Sequence, residues 1–165
     1  MNGMLSGAGE GAVYMTDGNG KRTATSYVEG ERTLVLDSYV GDFNGTIFMF
    51  ENLEVKNNTA MNFTNAKLYT GDISLWDIEY GSTVTGLQRN SFDGDTLDFD
   101  LTGWDGSSEW EVLAGTAETF VDLSEAASVT LGGQTASWNG AAWVSTDYKL
   151  AVDDQENKLV LAAIA

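Results

Sequence analysis

The chain has 165 residues and a net charge of −17, from 25 Asp and Glu against 8 Lys and Arg. It contains no Cys, no His and no Pro, which excludes zinc sites of the usual kind, Ser-His-Asp triads, thiol nucleophiles, haem and iron–sulfur clusters. The negative charge argues against nucleic acids and anionic membrane surfaces as partners. The longest apolar run, residues 158–165, is too short to cross a bilayer, so no membrane insertion is expected.

The first 32 residues are predicted to form an N-terminal cap or hairpin segment. Within them, Asp17-Gly18-Asn19-Gly20 has the composition of a hairpin turn. Lys21 and Arg22 follow this run without a phosphate-binding pattern or a helix, so a phosphate-binding loop is not expected.

An apolar-x-apolar pattern recurs through residues 33–103. The pattern occurs four times, as Leu34-Val-Leu36, Leu53-Glu-Val55, Ile73-Ser-Leu75 and Leu97-Asp-Phe99. The starts of successive copies are 19, 20 and 24 residues apart. A period near twenty, with short strands and Asn or Gly at the corners, is typical of a parallel β-solenoid. We predict that these eight apolar residues point inward and stack between rungs. An antiparallel sandwich is the alternative.

The clearest single strand lies at residues 96–101, where apolar side chains alternate with Asp98 and Asp100. Alternation of this kind indicates a strand with one buried and one solvated face. With no convincing helical stripe elsewhere, the protein is predicted to be all-β.

The densest acidic run, Asp93 to Asp100 with Asp105 after it, could hold calcium, which prefers several converging carboxylate and carbonyl oxygens. The run departs from the EF-hand pattern at Leu97. A solvated turn at Asp93-Gly94 followed by a strand is therefore the preferred interpretation, and no metal ligand is assigned. Calcium binding by this segment stays open.

Residues 104–165 are predicted to be an aromatic-rich antiparallel module that closes the end of the solenoid. Asn139-Gly140 has the composition of a two-residue type I′ turn, and residues 148–152 and 158–162 are strand-like. Four of the five tryptophans lie here, and they either fill the core of this module or form a platform for sugar rings: Trp104, Trp110, Trp138 and Trp143.

Segments such as Leu53-Glu-Val-Lys-Asn-Asn58 and Ala66–Leu75 resemble the repeats of bacterial autotransporter-type passengers and surface adhesins. The segment Trp138–Leu150 resembles the closing modules of such proteins, so the resemblance covers roughly residues 33–165. It implies a right-handed parallel β-helix, an extracellular or cell-surface location in a bacterium, and a role in adhesion or display.

The expected function is therefore that of a non-catalytic surface solenoid, a monomer within a longer chain, with a glycan or surface protein as partner. No catalytic or cofactor-binding residue is assigned, no cofactor is expected, and no pocket should hold two carboxylates with opposed pKa shifts. A carbohydrate-binding module is the alternative. A polysaccharide-active β-helix enzyme is a weaker one, because the eight cations are mostly isolated in the sequence.

Overall fold

A computed structural model of the protein describes residues 7–16, 32–43, 46–48, 50–69, 73–87, 92–115, 123–153 and 158–164. These residues form strands and turns, which confirms the all-β prediction. The first strands are β1 Gly7–Thr16, β2 Thr33–Phe43, β3 Thr46–Phe48, β4 Asn52–Lys56, β5 Ala60–Asn62, β6 Lys67–Tyr69, β7 Leu75–Glu79 and β8 Thr83–Leu87. The others are β9 Thr96–Asp100, β10 Trp110–Gly115, β11 Ser128–Leu131, β12 Gln134–Thr135, β13 Ser137–Trp138, β14 Trp143–Val144, β15 Tyr148–Asp153 and β16 Lys158–Ala163.

Most of these strands belong to a single 14-stranded sheet. Its order is β12-β11-β9-β7-β4-β2-β5-β8-β10-β16-β15-β14-β13, and β1 pairs antiparallel with β2 beside this path. The two end strands, β12 and β13, are consecutive along the chain. The sheet therefore follows a nearly closed, barrel-like path. Strands β3 and β6 form a separate parallel pair.

A first parallel series consists of β2, β4, β7, β9 and β11, paired in that order. Because side chains alternate across a strand, in-register pairing places inward residues directly above one another in two columns. The first column is Leu34, Leu53, Trp76, Leu97 and Val129, and the second is Leu36, Val55, Ile78, Phe99 and Leu131. All ten side chains are at most 1% exposed, so the two columns form the centre of the core.

A second parallel series pairs the end of β2 with β5, then β8, then β10. Its inward column contains Met61, Val84 and Leu113, and all three are buried. Parallel pairing thus continues beyond residue 103, where the sequence analysis placed a boundary, because β10 pairs with β8 and β11 pairs with β9.

The repeat assigned from the sequence is right in three of its four rungs and wrong in the one at residue 73. Strand β7 begins at Leu75, and Leu53 pairs with Trp76 rather than with Ile73. Ile73 is buried ahead of the strand, whereas Leu75 lies half-buried on the outer face. The larger indole takes the inward position because it buries more apolar area. Residues of the first column are consequently 19, 23, 21 and 32 positions apart.

The corner between the two parallel series is held by a buried hydroxyl. Thr59 is 0% exposed. Its hydroxyl group can donate a hydrogen bond either to the carbonyl oxygen of Leu36, at 3.0 Å, or to that of Lys56, at 2.8 Å. The hydroxyl oxygen of Thr59 also accepts a hydrogen bond from Tyr39 N at 3.3 Å. Just before this threonine, Asn57 and Asn58 adopt positive φ values of 56° and 57°, which turn the chain from β4 into β5.

The C-terminal strands pair antiparallel: β10 with β16, β16 with β15, β15 with β14, and β14 with β13. The predicted hairpin of residues 148–152 and 158–162 is confirmed. The predicted two-residue turn at Asn139-Gly140 is wrong, because Trp138 pairs with Trp143 and leaves a four-residue loop. The Asn139 side-chain oxygen accepts hydrogen bonds from the backbone N–H groups of Ala141 and Ala142, both at 2.9 Å. These hydrogen bonds stabilise the four-residue loop. The turn predicted at residues 17–20 lies outside the described residues.

Candidate functional site

The outer face of the first parallel series brings together carboxylates that are far apart in the sequence. Glu54 of β4 pairs in register with Asp77 of β7, and Asp77 pairs in register with Asp98 of β9. Neighbouring strands lie about 4.8 Å apart, so these side chains form a column of like charges. We call Glu54, Asp77 and Asp98 the acidic ladder.

A second pair of carboxylates lies beside the acidic ladder. Glu79 and Asp100, at the ends of β7 and β9, are also in register with each other. One cation balances part of this charge, since Lys56 Nζ lies 3.3 Å from Glu54 Oε1. That ion pair lies on β4, on one side of Asp77. On the other side of Asp77, on β9, lies the carboxylate of Asp98.

Burial and like charges act together on Asp77, the central carboxyl group of the ladder. Partial desolvation, followed by repulsion from Asp98 and Glu54 and more weakly from Asp100 and Glu79, raises its pKa to about 6. The pKa of Asp98 is also raised, by desolvation and by Asp100. Half-buried Asp77 is therefore the carboxylate in this face whose charge is least stabilised by its surroundings.

Asp100 differs from its neighbours because a threonine stabilises its charge. Thr102 Oγ1 and Thr102 N donate hydrogen bonds to Asp100 Oδ1 at 2.6 and 2.9 Å, and they lower the pKa of this carboxyl. Asp98 and Asp100 thus have opposed pKa shifts, a feature that paired catalytic carboxylates share. Both side chains are exposed on the outer face of β9, rather than enclosed together in a cleft that excludes water.

The acidic run from Asp93 to Asp100 does not converge on one point. Asp93 lies exposed in the turn before β9, as predicted, and Asp98 and Asp100 lie on the outer strand face. Asp95 instead is 2% exposed, and its Oδ2 accepts a hydrogen bond from Trp76 Nε1 at 3.1 Å. Within the described ranges, no group of three or more Asp, Glu, His or Cys side chains is placed to hold a metal ion.

This arrangement predicts how salts affect stability. Screening of the outer carboxylates should raise the melting temperature as sodium chloride is added, and calcium chloride should match magnesium chloride at equal ionic strength. Thermal unfolding of the intact chain in the three salts measures both effects. A melting shift with calcium alone would show that carboxylates of the Asp93–Asp100 segment form a specific calcium site in solution.

The four C-terminal tryptophans divide into two groups. Trp110 and Trp143 are 6% and 8% exposed, and their indole N–H groups donate to the carbonyl oxygens of Ser82 at 3.0 Å and Leu123 at 2.7 Å. Trp110 and Trp143 are therefore core residues, which agrees with the core interpretation rather than with the sugar platform. Trp104 and Trp138 are half-buried and pack against the edge of the core.

Trp104 contacts two tyrosines that the sequence analysis did not single out. Its ring centroid lies 5.9 Å from that of Tyr80 and 5.7 Å from that of Tyr148, with interplanar angles of 32° and 30°. Both tyrosines are half-buried as well. We call Tyr80, Trp104 and Tyr148 the aromatic stack. The tyrosines lie 24 and 44 residues from Trp104 in the chain, so only the folded chain brings the three rings together.

Comparison of the chain with protein-family models, curated proteins and solved structures gives no match. In the part of the chain that the structure describes, no helix has the length and apolar character needed to cross a membrane.

Proposed function

We propose that the protein is a right-handed parallel β-helix that acts as a non-catalytic scaffold on a bacterial surface, with a role in adhesion or display. The observation that carries this proposal is the in-register stacking of five parallel strands. Two continuous apolar columns lie on their inner side, and carboxylates lie on their outer side. A stack of this kind can be extended by repetition, because each rung needs contacts only with its neighbours.

The right-handed coil follows from a general preference of protein chains. Connections between parallel strands of one sheet are right-handed in nearly all proteins, since twisted strands pack favourably only with that hand. The antiparallel strands β13 to β16 support the same architecture. They pair onto β10 and provide an end at which parallel stacking stops, which is the role of a capping module in solenoids.

Charge supports a surface role for a monomer within a longer chain. A net charge of −17 opposes association between copies and keeps a strand-rich protein soluble. The outer carboxylates of β4, β7 and β9 present that charge to solvent. The partner of such a scaffold would be a glycan or a surface protein, and its binding would involve the outer surfaces of the rungs.

Location and binding are tested by separate measurements. Treatment of intact source cells with a protease should degrade the protein while a cytosolic marker survives. The purified chain, coupled to beads, should bind discrete members of a glycan and surface-protein array. Protection of the protein in intact cells would contradict the surface location, and absence of any reproducible array binding would contradict adhesion. Glycan cleavage that one Asp→Asn change abolishes would replace the scaffold role with an enzymatic one.

The aromatic stack favours a second candidate function, carbohydrate binding. Its three rings are partly accessible to solvent. Tyr and Trp side chains that pack one end against apolar groups and expose the other to solvent are enriched at binding surfaces. On the same array, Trp104→Ala should then abolish glycan binding. Trp138→Ala, which removes a half-buried indole outside the aromatic stack, should preserve it. Equal loss in both variants, or in neither, would argue against this candidate.

A further inference from the structure

The acidic ladder places a carboxylate where its charge opposes the stacking of three rungs. Asp77 lies on the middle strand of β4, β7 and β9, and its in-register neighbours on both sides are carboxylates. Like charges directly opposite each other destabilise a strand pair. Because Asp77 is half-buried, surrounding water screens this repulsion less completely than it would on an open surface.

The charged groups facing Asp77 come from its own strand and from the two flanking strands. On β4 they are Glu54 and its ion-pair partner Lys56, and on β7 there is Glu79. On β9 they are Asp98 and Asp100. Among the described residues, four of these five groups are acidic, and the cation of the set, Lys56, is paired with Glu54 at 3.3 Å. Uptake of a proton at the centre of this group would therefore remove repulsion across both strand interfaces.

We propose that the acidic ladder is a proton-sensitive element that makes the stacked rungs more stable in mildly acidic solution than at neutral pH. The acidic ladder would have this property whether or not the protein is a surface scaffold, because the contacts involved lie between β4, β7 and β9 alone. The rungs are most stable when the ladder carries one proton, and they become less stable when the proton leaves.

The direction of the effect follows from proton linkage. Since the pKa of Asp77 is raised from its ordinary value of 3.8 to about 6, the folded chain holds this proton more tightly than the unfolded chain does. Stability must then rise as the pH falls from about 7 towards 4, and it must be lost as the pH rises through 6. Asp100 and Asp105 act in the opposite direction: their pKa values are lowered by hydrogen bonds from Thr102 and Ser107. The stability that Asp100 and Asp105 contribute is lost only below about pH 4, so it does not overlap the pH range in which Asp77 changes stability.

Thermal unfolding of the intact chain between pH 4.5 and 8, at constant ionic strength, tests the proposal. We expect the melting temperature to be higher at pH 5 than at pH 7.5 by roughly 2–5 °C, a modest shift because Asp77 is partly solvated. Asp77→Asn should remove most of this pH dependence and should melt above the wild type at pH 7.5. The matched control is Asp93→Asn, which removes the same charge from an exposed turn and should keep the wild-type slope.

A second measurement does not require the Asp77→Asn variant to fold. Carboxyl carbon NMR of the wild type should show Asp77 titrating near pH 6, and Asp98→Asn should move that midpoint to lower pH by removing one neighbouring charge. A wild-type melting temperature that does not rise from pH 7.5 to 5 would overturn the proposal. Equal pH slopes in the wild type and Asp77→Asn would do the same, as would an Asp77 midpoint that Asp98→Asn leaves unchanged.

Discussion

Truncation of Trp76 to Ala should lower the free energy of unfolding by about 3–5 kcal/mol, the range for removing a large aromatic side chain from a core. Trp76 is 0% exposed and stacks between Leu53 and Leu97 in the first inward column. Its ring contacts Phe92 edge-on with centroids 5.1 Å apart, and its Nε1 donates to buried Asp95. Truncation would remove both contacts and leave Asp95 without this donor. Urea denaturation followed by circular dichroism measures the loss.

Two further variants identify what Trp76 contributes. Trp76→Phe keeps much of the apolar contact but removes the hydrogen bond to Asp95, so its cost of about 1–3 kcal/mol would report the loss of that donor. Trp138→Ala removes an indole that is half-buried in the end strand β13, and should cost only about 1 kcal/mol. If Trp138→Ala cost as much as Trp76→Ala, the inward column would not be the centre of the core.

The second large effect is expected at Gly86, in strand β8. Its φ of +75° is unfavourable for any residue with a side chain. This backbone conformation by itself would cost an alanine about 1–2 kcal/mol. A Cβ at this position would also lie 2.4 Å from Thr64 N and 2.7 Å from Thr64 Cα in the neighbouring rung. Thr64 lies in the turn after β5, where its N–H donates a hydrogen bond to Asn62 Oδ1 at 3.0 Å, so these backbone atoms cannot move away at low cost. Gly86→Ala should therefore destabilise the protein by about 3 kcal/mol or more, again measured by urea denaturation.

Gly94 provides a matched control for Gly86. Its φ is +73°, almost the same as that of Gly86, but a Cβ there would meet no atom within 4 Å. Gly94→Ala should consequently cost only the backbone strain, about 1–2 kcal/mol. The difference between the two variants isolates the close approach of adjacent rungs. Equal costs would mean that Thr64 does not lie against β8 in solution.

Some features of the acidic ladder were visible in the sequence and others were not. The alternation at residues 96–101 was sufficient to place Asp98 and Asp100 on a solvated face, and both are exposed there. Nothing local indicated that Asp77 would lie between Glu54 and Asp98, which are 23 and 21 residues away. The pKa of Asp77 arises from those neighbours and from partial burial, and both depend on the register between strands.

By itself, the sequence determined the all-β class, the inward faces of β2, β4 and β9, and the exposure of the carboxylates on β9. These properties depend on the two-residue alternation within a strand, which is local and therefore readable from sequence. Only the tertiary structure decided that Trp76 rather than Ile73 joins the inward column, that Trp104 meets two distant tyrosines, and that a four-residue loop precedes β14. Such outcomes depend on pairing between segments separated by loops of variable length. The register there is set by which side chains bury the most apolar area and which polar groups find partners.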